Sequence, residues 1–106
     1  MKRYQKYSKY WYPHIVTLIR LYPNGLGDSE KGEEARKAIT DVVSKTIRTD
    51  NGVQKMQAIN SIYFNDSKTT SGVSSDLYVS KRTVEQWVHE FVYDVADELG
   101  YISKKI

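Results

Sequence analysis

The stretch TTSGVSSDLYVSKRTVEQWVHEFVYDVADELGY, residues 69–101, decides the fold. Val84, Trp87, Val88, Phe91, Val95 and Leu99 recur at three- and four-residue intervals, the spacing of a helix with one buried face. Ser80 stands just before this ridge, where a hydroxyl accepts a hydrogen bond from a free N–H of the first turn. Val79 and Val84 bracket that cap as a hydrophobic staple. Gly100 ends the helix, because glycine takes up the left-handed conformation of a C-terminal cap without a steric penalty. Upstream, Thr69 or Thr70 caps a short helix with Val73 and Leu77 on its buried side, and Tyr78-Val79 makes the tight turn between the two. A short helix, a turn of a few residues and a capped second helix is the plan of a helix-turn-helix. The spacing predicts these helices over 70–77 and 81–99.

Towards the N-terminus the same helical period continues. Val53, Met56, Ile59 and Tyr63 predict a helix over 53–64, with Ile62 and Phe64 adding apolar bulk. Asn51 is placed to cap it, with Gln54 in the capping-box position. Ala35, Ala38, Ile39, Val42, Val43 and Ile47 make the buried stripe of a helix over 29–48, capped by Asp28 or Ser29. Glu30, Glu33 and Glu34 favour its positive N-terminal end, and Lys45 and Arg48 its last turn. Glu33 with Lys37, and Asp41 with Lys45, are acid-before-base pairs one turn apart. Pro13 suits the first position of a helix over 13–22, which buries Ile15, Leu18, Ile19 and Tyr22 and stops at Pro23. Nothing alternates with period two, so no strand is predicted. The fold class is all-α: one small domain over residues 1–106, with about five helices. Its parts are a basic-aromatic arm (1–12), a helical support (13–66) and the helix-turn-helix (67–101).

Composition removes several classes of function. The chain has 106 residues, enough for one domain with a real core. It has no cysteine, which excludes disulfides, thiolate zinc sites and cysteine nucleophiles and is compatible with a reducing cytoplasm. No run approaches the roughly 18 apolar residues of a membrane span. The net charge of +3 says little by itself, but its distribution is polarised. Lys2, Arg3, Lys6, Lys9 and Arg20 share the first twenty residues with no acid, whereas Asp94, Asp97 and Glu98 are acidic with no base before Lys104. In the arm these bases alternate with Tyr4, Tyr7, Tyr10, Trp11 and Tyr12. Two readings are open there: a strip that grips phosphate and stacks on bases, or aromatics that fold back onto the core.

The first turns of helix 81–99 offer Ser80, Lys81, Arg82, Thr83, Glu85, Gln86 and His89. A recognition helix lies in the major groove and presents its N-terminal residues to base edges. Ser80 and Thr83 reach phosphates or bases, Arg82 or Lys81 donates to guanine, and the Gln86 amide matches adenine. The acids Glu90, Asp94, Asp97 and Glu98 follow further along, away from phosphate. The same face also fits a capped amphipathic helix whose polar side is only solvated.

LYVSKRTVEQWVHEFVYDVADELGY, residues 77–101, resembles the C-terminal module of small phage transcriptional regulators of the RinA and ArpU kind. There a Ser-x-x-Thr element opens the recognition helix of a sigma-factor-like helix-turn-helix. Leu77, Val79, Ser80, Arg82, Thr83, Trp87, Phe91, Val95, Ala96 and Leu99 carry the match, over about the last third of the chain. One departure stands out. The first helix of the motif often carries an alanine where two helices close, and here Gly72, Ser74 and Ser75 are the candidates, which weakens that helix. The resemblance implies a phage or prophage regulator acting on late or host genes in the bacterial cytoplasm, with double-stranded DNA as partner and RNA polymerase as a further one.

Nothing reads as a catalytic or cofactor site. His14 and His89 lack the spacing of a metal site, and Gly25-Leu26-Gly27 has no preceding strand and too few glycines for a phosphate loop. No cofactor is expected. The competing reading is a phage packaging or structural component: a small terminase subunit, which shares the helix-turn-helix and forms a ring, or a helical head–tail connector. A homo-oligomer is compatible with either.

Overall fold

The structure, a computed structural model, describes the backbone of residues 2–102 and the side chains of residues 10–102. It contains five α-helices: α1 (Lys2–Leu21), α2 (Glu30–Ile47), α3 (Gly52–Ile59), α4 (Thr70–Leu77) and α5 (Lys81–Glu98). No strand occurs among the described residues. Helix α5 is the spine. Val84, Phe91, Val92, Val95 and Ala96 are all but fully covered, and against them pack Trp11, Ile15 and Ile19 of α1, Ile39 and Val42 of α2, Ala58 and Ile59 of α3 and Val73 of α4. Each such side chain stabilises by about 1.5–3 kcal/mol when fully buried, so this single cluster outweighs any surface interaction in the molecule.

Three caps follow the side-chain logic directly. The Ser29, Thr69 and Ser80 hydroxyls accept from the N–H groups of Gly32, Gly72 and Thr83 at 3.0, 3.1 and 3.0 Å. At the far end of α5, Gly100 is left-handed, and the Tyr101 N–H closes a bond to the Ala96 carbonyl at 2.9 Å.

Helix α1 corrects the expected arm. It begins at Lys2, and Pro13 lies inside it instead of opening it. A proline within a helix forfeits one main-chain hydrogen bond, but Trp11 before it and Ile15 after it are both buried, so continuity through Pro13 seats two large residues in the core. Thr17 Oγ1 donates to the Pro13 carbonyl at 3.0 Å. Of the arm's aromatics, Trp11 is buried, Tyr12 is half-buried and Tyr10 is exposed. The side chains of Lys2, Arg3, Tyr4, Lys6, Tyr7 and Lys9 lie outside the described residues.

Asn51 does not cap α3. It is left-handed at φ 61° and its side chain makes no capping bond. The corner is set by Gly52, where a Cβ would lie 2.2 Å from the Ile47 carbonyl oxygen. That close approach turns α3 so that Ala58, Ile59 and Tyr63 are buried while Val53 is 63 % exposed, against expectation. In α2 the buried stripe ends on Thr46 and not on Ile47, because a 3.6-residue period keeps positions 39, 42 and 46 in line and carries 47 off the face. Residues Asn60–Phe64, expected as the end of α3, form a π-helical turn, with the Asn65 N–H reaching the Asn60 carbonyl at 2.7 Å. This wider turn places Phe64 against Tyr22 and Phe91. The expected ion pairs are also redistributed. Glu33 meets Arg36 instead of Lys37. Lys45 reaches across to Glu98 of α5 at 2.8 Å instead of to Asp41, drawing α2 to the end of the spine.

Candidate nucleic-acid interface

Helices α4 and α5 are joined by Tyr78, Val79 and Ser80. The turn is built from both sides. The Tyr78 N–H bonds back to the end of α4, and the Val79 N–H donates to the Ser74 carbonyl at 3.2 Å. Val79 is half-buried and Val84 is buried, the arrangement of a staple across the cap. Val73 anchors α4 in the core at 3 % exposure. Gly72 is not a point of close helix contact, since a Cβ there would meet nothing nearer than Thr69 Oγ1 at 3.6 Å.

The seven residues singled out at the start of α5 divide into three groups. Ser80 and Thr83 make the cap: besides the main-chain bond, their hydroxyls share a hydrogen bond of 2.8 Å. Lys81, Arg82, Glu85 and Gln86 are exposed. Among the described residues no ion pair engages Lys81 or Arg82. Opposite them Val84, Trp87 and Val88 are buried, so the helix divides cleanly into a core face and an open face.

His89 belongs to neither group. Its Nδ1 lies 3.0 Å from the Tyr12 hydroxyl of α1, and its ring sits beside those of Tyr12 and Tyr93. Trp11 meets Tyr93 edge-on in the same cluster. Burial, reinforced by the phenols of Tyr63 and Tyr93, pushes the Tyr12 hydroxyl far above its ordinary ionisation range. His89 lies on the same face as Arg82, Glu85 and Gln86, one turn further along, and ties that face to α1 through Tyr12. A partner 77 positions away leaves no trace in local spacing.

Beside the turn, Lys68 pairs with Asp76 of α4, which neutralises the one acid of that short helix. Behind it Arg20 of α1 pairs with Asp66 at 2.9 Å and lies over the Tyr63 ring. Tyr78 is legible in sequence only as part of the turn after α4. It is 94 % exposed. The signal for it was an aromatic residue between two apolar ones at a position where glycine is usual.

No helix among the described residues is long and apolar enough to cross a membrane, and none of their His, Cys, Asp and Glu side chains gather as a group able to hold a metal ion. Comparison of the chain with protein-family models, with curated proteins and with solved structures finds no match.

Proposed function

We propose that this chain is a sequence-specific DNA-binding transcription regulator that enters the major groove with the first two turns of α5. One observation carries the reading: a capped helix, set on a short helix and a three-residue turn, exposes Lys81 and Arg82 unpaired and then Glu85 and Gln86, while its other face forms the core. Two cations at a helix N-terminus add to the dipole and free N–H groups that already attract phosphate. An arginine and an amide one turn apart supply donors and acceptors matched to guanine and adenine edges. The resemblance of residues 77–101 to RinA- and ArpU-like regulators supports a phage or prophage origin, late or host genes as targets, and RNA polymerase as a second partner.

The test is fluorescence anisotropy with duplexes drawn from DNA flanking the chain's own gene, against random duplex. A specific site should bind with a Kd on the order of 10⁻⁸ M or tighter, and about 10³-fold more tightly than random sequence. Affinity should fall steeply with salt as phosphate contacts release counterions. Folded protein that retains no duplex at low salt, or that binds all duplexes alike, overturns the reading. A ring-sized particle in light scattering together with that result would move the chain to packaging or connection.

A further inference from the structure

Tyr78 stands in a backbone conformation that its side chain opposes. Its φ is 57° and ψ 39°, the left-handed region, where the Cβ crowds the following carbonyl and where glycine or asparagine is the usual choice. The turn requires this conformation, because it directs the Tyr78 N–H back to Ser74 and Ser75 and delivers Val79 to the core. The tyrosine ring contributes nothing in return. It is 94 % exposed, and its side chain has no hydrogen bond or ring contact among the described residues. Tyr12, Tyr22, Tyr63 and Tyr93, by contrast, are all at least half covered and packed on other rings or cations. A strained side chain that makes no hydrogen bond or ring contact among the described residues points to a role outside the fold.

What lies outside is set by the surroundings. Tyr78 precedes the Ser80 cap by two residues, and the charges next along the chain are the exposed, unpaired cations Lys81 and Arg82. The nearest acid, Asp76, is already paired with Lys68. The first turn of α5 that follows the ring therefore carries two cations and no acid before Glu85, which suits an anionic partner. We propose that Tyr78 is a contact to the sugar–phosphate backbone at the edge of the groove that α5 enters, its hydroxyl donating to a phosphate oxygen and its ring covering the adjacent deoxyribose. This rests on the reading of α5 as a recognition helix and adds a residue to it. A residue before the first turn of such a helix lies at the groove wall, not at the base edges, so its contribution is independent of sequence.

The experiment compares Tyr78→Gly, Tyr78→Asn and Tyr78→Phe with the unaltered chain, reading thermal unfolding by circular dichroism and duplex affinity by anisotropy. Glycine and asparagine both accept the left-handed conformation, so both variants should keep or raise the Tm. Both should lose about tenfold in affinity for target and random duplex alike, the size of a hydrogen bond to a charged group. The ratio between the two duplexes should stay constant. The phenylalanine variant should lose part of that affinity with an unchanged salt slope, since a neutral hydroxyl displaces no counterion. Agreement between glycine and asparagine separates a lost contact from a loosened turn. A fall in Tm for both variants, unchanged affinity, or a changed ratio between duplexes each overturns the assignment while leaving the reading of α5 standing. If the unaltered chain binds no duplex, that reading falls and this inference with it.

Discussion

At the scale of single residues, the open face of α5 carries two kinds of contact on the proposed DNA-binding reading, and experiment can separate them. Arg82 and Gln86 are exposed one turn apart with no partner to give up among the described residues, so on the proposed reading each is available to a base edge. Arg82→Ala or Gln86→Ala should relax preference for the target site by about 1–3 kcal/mol, the value of a bidentate contact to a base. Lys81→Ala should weaken target and random duplex together and make the logarithmic salt slope shallower by about one, because one phosphate contact is lost. Anisotropy at two salt concentrations distinguishes these outcomes. Silence of all three variants with the fold intact would reduce α5 to a structural helix. Much at this scale was legible in the sequence for a simple reason: a hydroxyl before an apolar run is a local signal, so Ser80 and the two possible caps at Asp28 or Ser29 and at Thr69 or Thr70 could be placed. His89 was not legible in the same way. It lies on a polar face like a groove residue, and only the fold brings Tyr12 to it.

At the scale of elements, periodicity located the helices and close approach decided how they meet. Helix α5 follows its apolar period throughout, so truncation on that ridge should be costly. Phe91→Ala should lower stability by about 3–5 kcal/mol in denaturant unfolding, as aromatic truncations in cores do. Trp87→Ala should cost less, since Trp87 keeps 9 % of its surface exposed against 1 % for Phe91. Equal stability of the Phe91 variant and the unaltered chain would show that the ridge is not the spine. Helix α3 obeyed a different rule. The Gly52 corner leaves no room for a methyl group against the Ile47 carbonyl, so Gly52→Ala should destabilise by roughly 2–4 kcal/mol, in the range of strained backbone substitutions. A denaturation midpoint unmoved by that methyl group would contradict the close contact. A glycine after Asn51 reads in sequence as an ordinary turn, and nothing local says which carbonyl it will face. For the same reason Val53 was expected inside, and the π-helical turn at Asn60–Phe64 passed as helix. Pro13 misled in the opposite direction, because its local preference for a helix start was overridden by the burial of Trp11 on its N-terminal side.

At the scale of the whole molecule, α1, the π-helical turn and α5 converge on one group of phenols, and that junction makes stability depend on alkaline pH. Tyr12 is raised in pKa by burial first and then by the neighbouring phenols of Tyr63 and Tyr93. Tyr63 is raised by burial, partly offset by its hydrogen bond with Tyr12 and by the charge of Arg20. In the unfolded chain both phenols ionise near pH ~10. Below that value each is protonated whether folded or unfolded, and pH has no purchase on the equilibrium through them. Above it the unfolded chain releases protons that the folded chain still holds, so stability falls as pH rises. Each phenol contributes a slope of at most about 1.4 kcal/mol per pH unit, and solvent reaching the half-buried Tyr12 keeps the realised slope below that ceiling. Urea unfolding between about pH 8 and about pH 11 should therefore show stability level at first and then declining. Tyr12→Phe should flatten the decline, because it removes one of the two protons from the balance. Absorbance of phenolate in the folded protein should correspondingly show a late-ionising fraction from Tyr12 and Tyr63, reduced in Tyr12→Phe. If no late-ionising fraction appears and the phenylalanine variant declines as steeply as the unaltered chain, the junction is open to water. The brace between α1 and the middle of α5 would then be a loose contact, and its hold on His89 and on the open face of α5 would have to come from Trp11 and Ile15 alone.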